Sequence, residues 1–176
     1  MTRSIYGLLA LTLSAAPLFA QSSEKAAGPS DAEIAAIVVA ANAIDAEMGD
    51  LAVKRGRSTD IKDYGKLMGA SHRAVNASAV ELVTKLKVTP VENDVSRKLR
   101  ADANAFKATL VKKSGKEFDR AYIEHEVAYH KAVIGAVDTV LIPNAKNEEL
   151  KATLIGVRPA LVSHLEHAEH LLANLK

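Results

Sequence analysis

The 176-residue chain contains no cysteine. This absence excludes disulfides, thiolate metal sites and lipid attachment through a thiol. Tryptophan is also absent, and aromatic residues make up only 4% of the chain. Few aromatics together with many Ala, Leu and Lys residues are typical of a helical protein and disfavour a β-sandwich or barrel.

The sequence also lacks an excess of one charge. Lys and Arg number 23 against 21 Asp and Glu, and the net charge is +2. Because both signs are mixed along the chain, no basic surface for nucleic acid or anionic membranes is predicted. Nucleic acid is therefore excluded as a partner, and protein partners are left open.

A long apolar run occurs only at the start of the chain. Residues 1–20 combine Arg3 with the stretch "YGLLALTLSAAPLFA", and Ala20 ends the run before polar residues. This pattern is typical of a cleaved export signal, and the run is too short to span a bilayer. Leu18 is larger than the residue preferred three places before a cut, so the cleavage position stays open. We predict an exported, periplasmic protein without a transmembrane segment.

After this signal, residues 21–29 are a short flexible lead-in and residues 30–176 form one helical domain. Ser30 stands three residues before Glu33, a capping-box start. Apolar residues then recur every three or four positions to Gly56, which predicts the first helix. A second periodic segment follows after a very short turn. The two helices should therefore be antiparallel neighbours.

The rest of the chain predicts three more helices. Pro90 interrupts the pattern, and a shorter helix follows at about 92–113. Ser114, Gly115 and Glu117 repeat the break and the capping pattern before a fourth helix, which ends near residue 141. The last helix occupies about 147–173. The long connection lets the second and fourth helices run parallel, so the fold class is an all-α, ferritin-like four-helix bundle with an extra short helix in the long crossover connection.

Three of the six histidines are candidates for the core, two of them at positions where aliphatic residues are expected. His72 and His164 lie on the apolar stripes of the second and last helices, and His130 lies one turn from Val133 and Ile134. His72 and His130 come about 12 to 13 residues into parallel helices, and the heights of His130 and His164 agree within about 6 Å. Glu47 of the first helix lies about one turn from the same level.

Such a group is costly to bury unless its members satisfy each other or bind a cation. An unpaired buried imidazole costs about 1–3 kcal/mol, and an unpaired carboxylate costs more. Glu47, His72, His130 and His164 therefore form a candidate site for a divalent transition metal, with Zn, Cu, Fe and Mn all possible. The alternative is that each histidine is a hydrogen-bonded core residue.

Other polar residues are candidates for a shell around the site. Glu126 lies one turn before His130, where it would be a ligand, a group that orients His130, or a solvated side chain. His167 and His170 are spaced as a second surface site or as part of a solvated face, and His125 is predicted at the surface. The candidates for the surrounding shell are Ser71, Glu126, Tyr129 and His167.

The chain resembles the ferritin-like domain of unknown function of exported bacterial proteins, often labelled "predicted outer membrane protein". The resemblance covers about residues 31–173. It implies a ferritin-like bundle and maps the recurring histidines of that family onto His72, His130 and His164, with Glu47 at its recurring first-helix glutamate. The resembling residues are Glu47-Met48-Gly49 with Leu51-Ala52, Met68 with Ser71-His72, "SGKEFDRAYI" at 114–123 leading to His130, and "PALVSHLEHA" at 159–168.

The chain departs from two patterns. Ser71 and Tyr129 stand where the family usually has an acidic residue before a histidine, so the site is expected to differ there. Di-iron bundles use Glu-x-x-His pairs, and no histidine here has Glu three residues before it. A ferritin-type di-iron oxidase is therefore not expected, whereas a mononuclear site is compatible with the sequence.

Four functions follow from these residues. The first is a periplasmic metal-binding protein for handling, storage or sensing. The second, an enzyme, would use an open metal position, but the sequence shows no separate nucleophile or acid–base group. The third is an envelope structural or interaction module whose core histidines only specify packing. The fourth is a bundle that responds to pH through those histidines.

Overall fold

The structure, a computed structural model, describes residues 28–175, and within this range it contains helices and no strands. The all-α prediction is confirmed. The predicted export signal and all but the last two residues of the lead-in lie outside the described residues. The helical elements are α1 (Asp31–Arg55), α2 (Thr59–Lys85), α3 (Asp94–Leu110), α4 (Gly115–Ala136), a π-helical turn (Val137–Leu141), α5 (Ile142–Asn144) and α6 (Glu148–Asn174).

The helix starts follow the sequence in one case and depart from it in another. The capping box of Ser30 and Glu33 forms at the start of α1. The second capping box, predicted at Ser114 and Glu117, does not form, because the Ser114 side chain makes no cap hydrogen bond. Gly115 has a φ of +58°, which turns the first peptide of α4 away from helical geometry. The amide groups of that first turn are thus not aligned with the Ser114 hydroxyl.

Helices α1 and α2 are antiparallel and touch through glycine. A Cβ atom on Gly65 would lie 2.6 Å from the Gly49 carbonyl oxygen and 2.9 Å from the Ala52 Cβ. Further along the pair, the Asn76 amide donates to the Val39 carbonyl oxygen at 3.3 Å. Because rising numbers in α2 meet falling numbers in α1, the two helices run in opposite directions, as the short turn predicts.

The second pair, α4 and α6, is also antiparallel. Arg158 of α6 makes a two-pronged ion pair with Asp138 just after α4, with distances of 2.6 and 2.8 Å. Lys131 of α4 pairs with Glu169 at 2.6 Å nearer the other end. Helix α6 continues through Pro159, which removes one helical hydrogen bond without ending the helix.

The two pairs lie side by side, with α2 against α6 and α1 against α4. Lys85 near the end of α2 pairs with Glu149 at the start of α6, so these helices are antiparallel. Helices α2 and α4 therefore run parallel, which the long connection predicts. The connection carries α3, which packs against the outer side of α1.

Each turn between paired helices is held by an aspartate from the other pair. Asp119 of α4 accepts from the amides of Arg57 and Ser58 at 2.8 and 2.9 Å. Asp31 of α1 accepts from the amides of Lys146 and Asn147 at 2.8 and 3.0 Å. These bonds satisfy amide groups at the α1–α2 and α4–α6 turns and link the two helical pairs at both ends of the domain.

The core consists of two apolar clusters that lie along the bundle axis. The first, here the aromatic cluster, packs around Tyr64, Phe118 and Tyr122, and the second, here the aliphatic cluster, contains no aromatic residue. The aromatic cluster comprises Ile44, Met48, Ala52, Ile61, Tyr64, Met68, Ala103, Leu110, Phe118, Tyr122, Ile123 and Ala168. The aliphatic cluster comprises Ile34, Ile37, Val137, Leu141, Ala145, Leu150, Leu154 and Leu161.

Candidate metal centre

The three predicted histidines meet between the two clusters. His72 of α2, His130 of α4 and His164 of α6 are all buried, and one nitrogen from each lies within 4.8 Å of the others. The ring centroids are 5.3 to 5.8 Å apart. The structure therefore brings together imidazoles from three helices at one level.

The protonation of His72 follows from its hydrogen bonds. The Asn42 amide nitrogen donates to the Val38 carbonyl at 2.8 Å, which orients the Asn42 Oδ1 towards His72. The His72 Nδ1 lies 2.7 Å from that oxygen and must donate to it. Burial lowers the pKa of His72 to about 3, so the ring is neutral at pH 7. Its Nε2 therefore carries a lone pair.

His130 has the same tautomer for a similar reason. Its Nδ1 donates to the Glu126 backbone carbonyl at 3.1 Å, within the same helix. Burial lowers the pKa of His130 to about 4, despite this hydrogen bond. The Nε2 of His130 is therefore also an unprotonated acceptor at neutral pH.

Both lone pairs face one carboxylate, that of Asp45. The Asp45 Oδ2 lies 3.1 Å from the Nε2 of His72 and 3.5 Å from the Nε2 of His130. No amide, hydroxyl or basic side chain donates to either Asp45 oxygen, and neither Nε2 has a partner. The neighbouring Glu126 carboxyl is the group that can donate to Asp45 when it is protonated. Three acceptor atoms thus face each other in the interior, which costs about 1–3 kcal/mol for each unsatisfied group. A proton on Asp45 would serve one imidazole, whereas a cation would serve both.

His164 contributes a third nitrogen without a partner. Its Nδ1 is buried and makes no hydrogen bond, and burial lowers the pKa of the ring. The backbone carbonyl of His164 accepts from the buried Tyr64 hydroxyl at 3.3 Å, which ties this turn of α6 to α2. The ring is therefore a neutral imidazole with a nitrogen available to a ligand.

Glu126 extends the site towards the aromatic cluster. Its side chain is buried, and its carboxylate, that of Asp45 and a His130 nitrogen form a second group within 4.8 Å. Burial raises the pKa of Glu126 well above its usual range, and the nearby Asp45 carboxylate adds to this. Burial also raises the pKa of Asp45 to about 7. Glu126 therefore favours its protonated form, and Asp45 is close to its midpoint at neutral pH.

The structure does not bring Glu47 to this group. Its side chain is 47% exposed and pairs with Arg100 at 2.9 Å and Lys107 at 3.9 Å. Both partners belong to α3. Glu47 thus points to the flank of α1 that α3 covers, and the carboxylate that α1 contributes to the histidines is Asp45.

The predicted shell residues are divided between the site and the surface. Ser71 and Tyr129 line the space beside the histidines, and the Tyr129 hydroxyl donates to the Ala41 carbonyl at 2.9 Å. His167 is exposed and lies edge-on to Tyr64, with ring centroids 5.2 Å apart. His125 is half-buried, not at the surface, because its ring stacks on Phe106 with centroids 3.7 Å apart.

A cavity of about 310 Å³ adjoins the histidines on the aliphatic side. His72, His130, His164 and Asp45 line one end of it, whereas Glu126 and Tyr122 do not. The remaining lining is almost wholly aliphatic. It includes Ile37, Val38, Val75, Leu99, Val133, Val137, Leu141, Leu154, Val157 and Leu161.

The donor set suits a transition metal. Metal–ligand bonds of about 2.1 Å place neighbouring ligand atoms about 3.0 Å apart in an octahedron and about 3.4 Å apart in a tetrahedron. The distances of 3.1 and 3.5 Å from the Asp45 Oδ2 to the two Nε2 atoms match this range. The buried histidine and carboxylate groups can therefore hold a metal ion.

The sequence matches the family model described as "Domain of unknown function (DUF4142)" over residues 16–171. The chain belongs to this family. Comparison with curated proteins and with solved structures gave no match.

The sequence of this DUF4142 chain does not show which acid of α1, Asp45 or Glu47, faces the histidines. Asp45 lies four residues after Ala41 and three before Met48, on the apolar stripe of α1. Glu47 fits the same stripe, three after Ile44 and four before Leu51. The apolar face of α1 is broad because α3 covers one flank, so periodicity alone does not separate the two acids.

Within residues 28–175, no helix is long and apolar enough to cross a membrane.

Proposed function

We propose that this DUF4142 protein is an exported, ferritin-like four-helix bundle that binds one divalent transition-metal ion in its core. The ligands would be Asp45 and the three histidines His72, His130 and His164. The role is binding of the metal, for handling, storage or sensing, and the candidate metals are Zn, Cu, Fe and Mn. The cavity adjoins these four residues and would leave room for a further ligand beside the ion.

One observation carries this proposal: the Asp45 Oδ2 faces two Nε2 lone pairs at 3.1 and 3.5 Å. The tautomers of His72 and His130 are fixed by separate hydrogen bonds on the far side of each ring. Such outer partners orient metal-bound imidazoles in many proteins. Without a cation, a proton on Asp45 can satisfy one of the two lone pairs, whereas a bound metal ion would satisfy both.

The second acidic group favours one ion over two. A second ion beside Asp45 and Glu126 would need His130 as a shared ligand. The Nδ1 of His130 already donates a proton to the Glu126 carbonyl, so a neutral ring offers only its Nε2. Because Glu126 also favours its protonated form, it supports a mononuclear site as a neighbour of the ligands.

The ferritin-like assignment is supported by the helix directions. Four long helices form two antiparallel pairs, and the connection through α3 leaves α2 and α4 parallel. This is the arrangement of a bundle with one long crossover. Export is supported by the signal pattern of residues 1–20, and fractionation of cells that express the full chain would test it.

The metal proposal is tested by purification from the periplasm without a histidine tag, followed by elemental analysis. We expect near-stoichiometric metal in the native protein and its loss in His164→Ala. His170→Ala is the matched control, because His170 lies exposed on the same helix. Removal of a direct ligand should weaken binding by more than the roughly 10–100-fold caused by loss of an outer partner.

The proposal is overturned if the native protein contains no metal and its melting temperature does not rise with Zn, Cu, Mn or Fe. Equal metal content in His164→Ala and His170→Ala would also contradict it. Folding of each variant is checked by circular dichroism, because His164 is part of the core.

A second candidate is a non-catalytic envelope module whose core histidines respond to pH. It is favoured by the low pKa values of His72 and His130, about 3 and 4, because charging these rings in acid opposes folding. A metal-free native protein whose melting temperature falls steeply from neutral pH to pH 5 would support this candidate over metal binding.

A further inference from the structure

The cavity beside the metal centre has two chemically different ends. One end carries the Asp45 carboxylate and the imidazoles of His72, His130 and His164. The body is formed by aliphatic side chains from α1, α2, α4 and α6, with Leu99 and Val95 from α3. Val95 of α3 and Ala132 of α4 line the cavity and are also exposed to solvent. The cavity therefore reaches the surface between α3 and α4.

The metal ligands face the cavity from one side only. Glu126, Tyr122 and Tyr64 close the other side of the ligand group and do not line the cavity. An ion held by Asp45 and the histidines would therefore have protein behind it and the cavity in front. Four protein ligands leave a position open in a five- or six-coordinate ion, and the 3.1 Å between the Asp45 Oδ2 and the His72 Nε2 is close to the ligand spacing of an octahedron. Water or a small molecule would take that position.

The charge of the site selects the kind of head group. An imidazole that binds a metal is a neutral ligand, so Asp45 is the only one of the four ligands that offsets the charge of a divalent ion. One positive charge is left over in a buried site, and burial of an unpaired charge is costly. A ligand with a single negative charge would neutralise it.

The aliphatic walls of the cavity determine which kind of group can follow the head group of the ligand. Water needs two to four polar partners, and the aliphatic walls beyond the histidines offer almost none. An alkyl chain is the natural occupant. At about 30 Å³ for each water-sized group, 310 Å³ holds about ten non-hydrogen atoms. An eight-carbon carboxylate has this size.

We propose that the cavity binds a medium-chain monocarboxylate, whose head group completes the coordination of the bound metal and whose alkyl chain lies between α1, α4 and α6. This inference rests on the proposed metal site and adds the ligand class that the site accepts. Binding is reversible and forms no covalent bond. The protein would then carry or sense a medium-chain fatty acid only when it also holds metal.

The first experiment measures carboxylate binding by calorimetry on Zn²⁺-loaded full-length protein purified from the periplasm. Acetate, butyrate, hexanoate, octanoate and tetradecanoate form the series. We expect affinity to rise about fourfold for each added methylene up to octanoate, from the burial of apolar surface, and to stop rising beyond it. Equal affinity for acetate and octanoate would overturn the proposal, because the walls would then contribute nothing.

A second experiment tests whether the head group reaches the metal. In Co²⁺-loaded protein, octanoate should change the visible absorption of the ion, and 1-octanol of equal length should not. Octanoate should also bind at least tenfold more weakly to the metal-free protein. Equal binding with and without metal, or an unchanged spectrum at saturation, would overturn the role of the head group.

A third experiment compares a variant that fills the cavity with a control variant at the surface. Ala136→Phe places a ring against the cavity wall, and Ala128→Phe places the same ring on an exposed position of the same helix. We expect Ala136→Phe to retain metal and lose octanoate binding at least tenfold, while Ala128→Phe retains both. Should Ala136→Phe not fold, the chain-length series on the native protein decides the question.

The two proposals fail in different ways. Absence of metal from the native protein in elemental analysis and in a Zn²⁺ titration overturns the metal site and this inference together. Bound metal with no binding of octanoate overturns this inference alone. Metal content is therefore measured in every sample before the carboxylate is added.

Discussion

The two apolar clusters on either side of the histidines are packed differently. In the aromatic cluster Tyr64, Phe118 and Tyr122 are completely buried, and α1 touches α2 through Gly49 and Gly65. The aliphatic cluster surrounds a cavity of about 310 Å³. The same four helices thus approach closely at one end and leave a space at the other.

This difference places the acids and imidazoles in distinct surroundings. Glu126 and the Tyr122 hydroxyl face the closed aromatic side, where burial raises the pKa of both groups well above its usual range. The histidines face the cavity, where a ligand can reach them. The closed side provides rigidity and fixes the back of the site, and the cavity side provides access.

The largest contrast is expected from truncation of one residue on each side. Phe118→Ala removes a fully buried ring from the aromatic cluster and should lower the free energy of unfolding by about 3–5 kcal/mol. Val133→Ala removes a half-buried side chain beside the cavity and should cost about 1 kcal/mol. Urea unfolding of metal-free protein measures both. Equal losses would show that the two sides are packed alike.

Glycine substitutions sharpen the same contrast. Gly65→Ala would force α1 and α2 apart, because its Cβ would lie 2.6 Å from a backbone oxygen, and should cost about 1–3 kcal/mol. Gly156→Ala, on α6 near the aliphatic cluster, meets no atom within 4 Å and should stabilise the helix by up to about 1 kcal/mol. Melting temperatures should therefore shift in opposite directions, and a gain in stability for Gly65→Ala would contradict the close contact.

The pH dependence of stability in the metal-free protein distinguishes the contribution of the two buried acids from that of the histidines. Burial raises the pKa of Asp45 to about 7 and that of Glu126 well above its usual range, so the folded state binds more protons than the unfolded state. Their contribution to stability is complete below the unfolded pKa of about 4 and is lost as pH rises through the folded pKa. The histidines, with lowered pKa values, act in the opposite direction below about pH 6.5 and have little effect above it.

Between pH 6.5 and 8, only the acids should matter, and the titration of Asp45 alone should cost the metal-free protein about 1 kcal/mol. Zn²⁺ should stabilise the protein more strongly over the same range, because coordination favours an ionised Asp45. Asp45→Asn should reduce both trends. Thermal unfolding with and without Zn²⁺ at several pH values measures them, and a metal-free protein that gains stability towards pH 8 would contradict the assigned pKa directions.

The fold was accessible from the sequence because its signals are local. The capping pattern at Ser30, the short turn at Gly56 and the three-to-four spacing of apolar residues predict the helices and the first pair correctly. The long connection correctly predicts that α2 and α4 run parallel. The Asp119 and Asp31 bonds to distant turns were not predictable, because each joins residues far apart in sequence.

The site was accessible only in part. His72 and His164 stand on apolar stripes, and His72 and His130 come at equal depth in parallel helices. Counting from the turn before α6 puts His164 near the level of His130, so the approach of the three histidines was predictable. The acid from α1 could not be chosen, because the choice depends on which flank of α1 meets α3. The burial of His125 was likewise not predictable, because it depends on stacking against Phe106 of another helix.

The smallest effect is expected from substitution of Glu47, which tests whether Asp45 or Glu47 is the metal ligand from α1. Glu47→Gln breaks an exposed ion pair with Arg100, which is worth about 0–1 kcal/mol, and should leave metal content unchanged. Asp45→Asn, a matched change two residues earlier on the same helix, should reduce metal affinity more than the roughly 10–100-fold effect of an outer partner. Elemental analysis and Zn²⁺ titration compare the pair directly. Loss of metal in Glu47→Gln with full binding in Asp45→Asn would return the ligand role to the surface acid, and the site would then have to form by a movement of α3 away from α1.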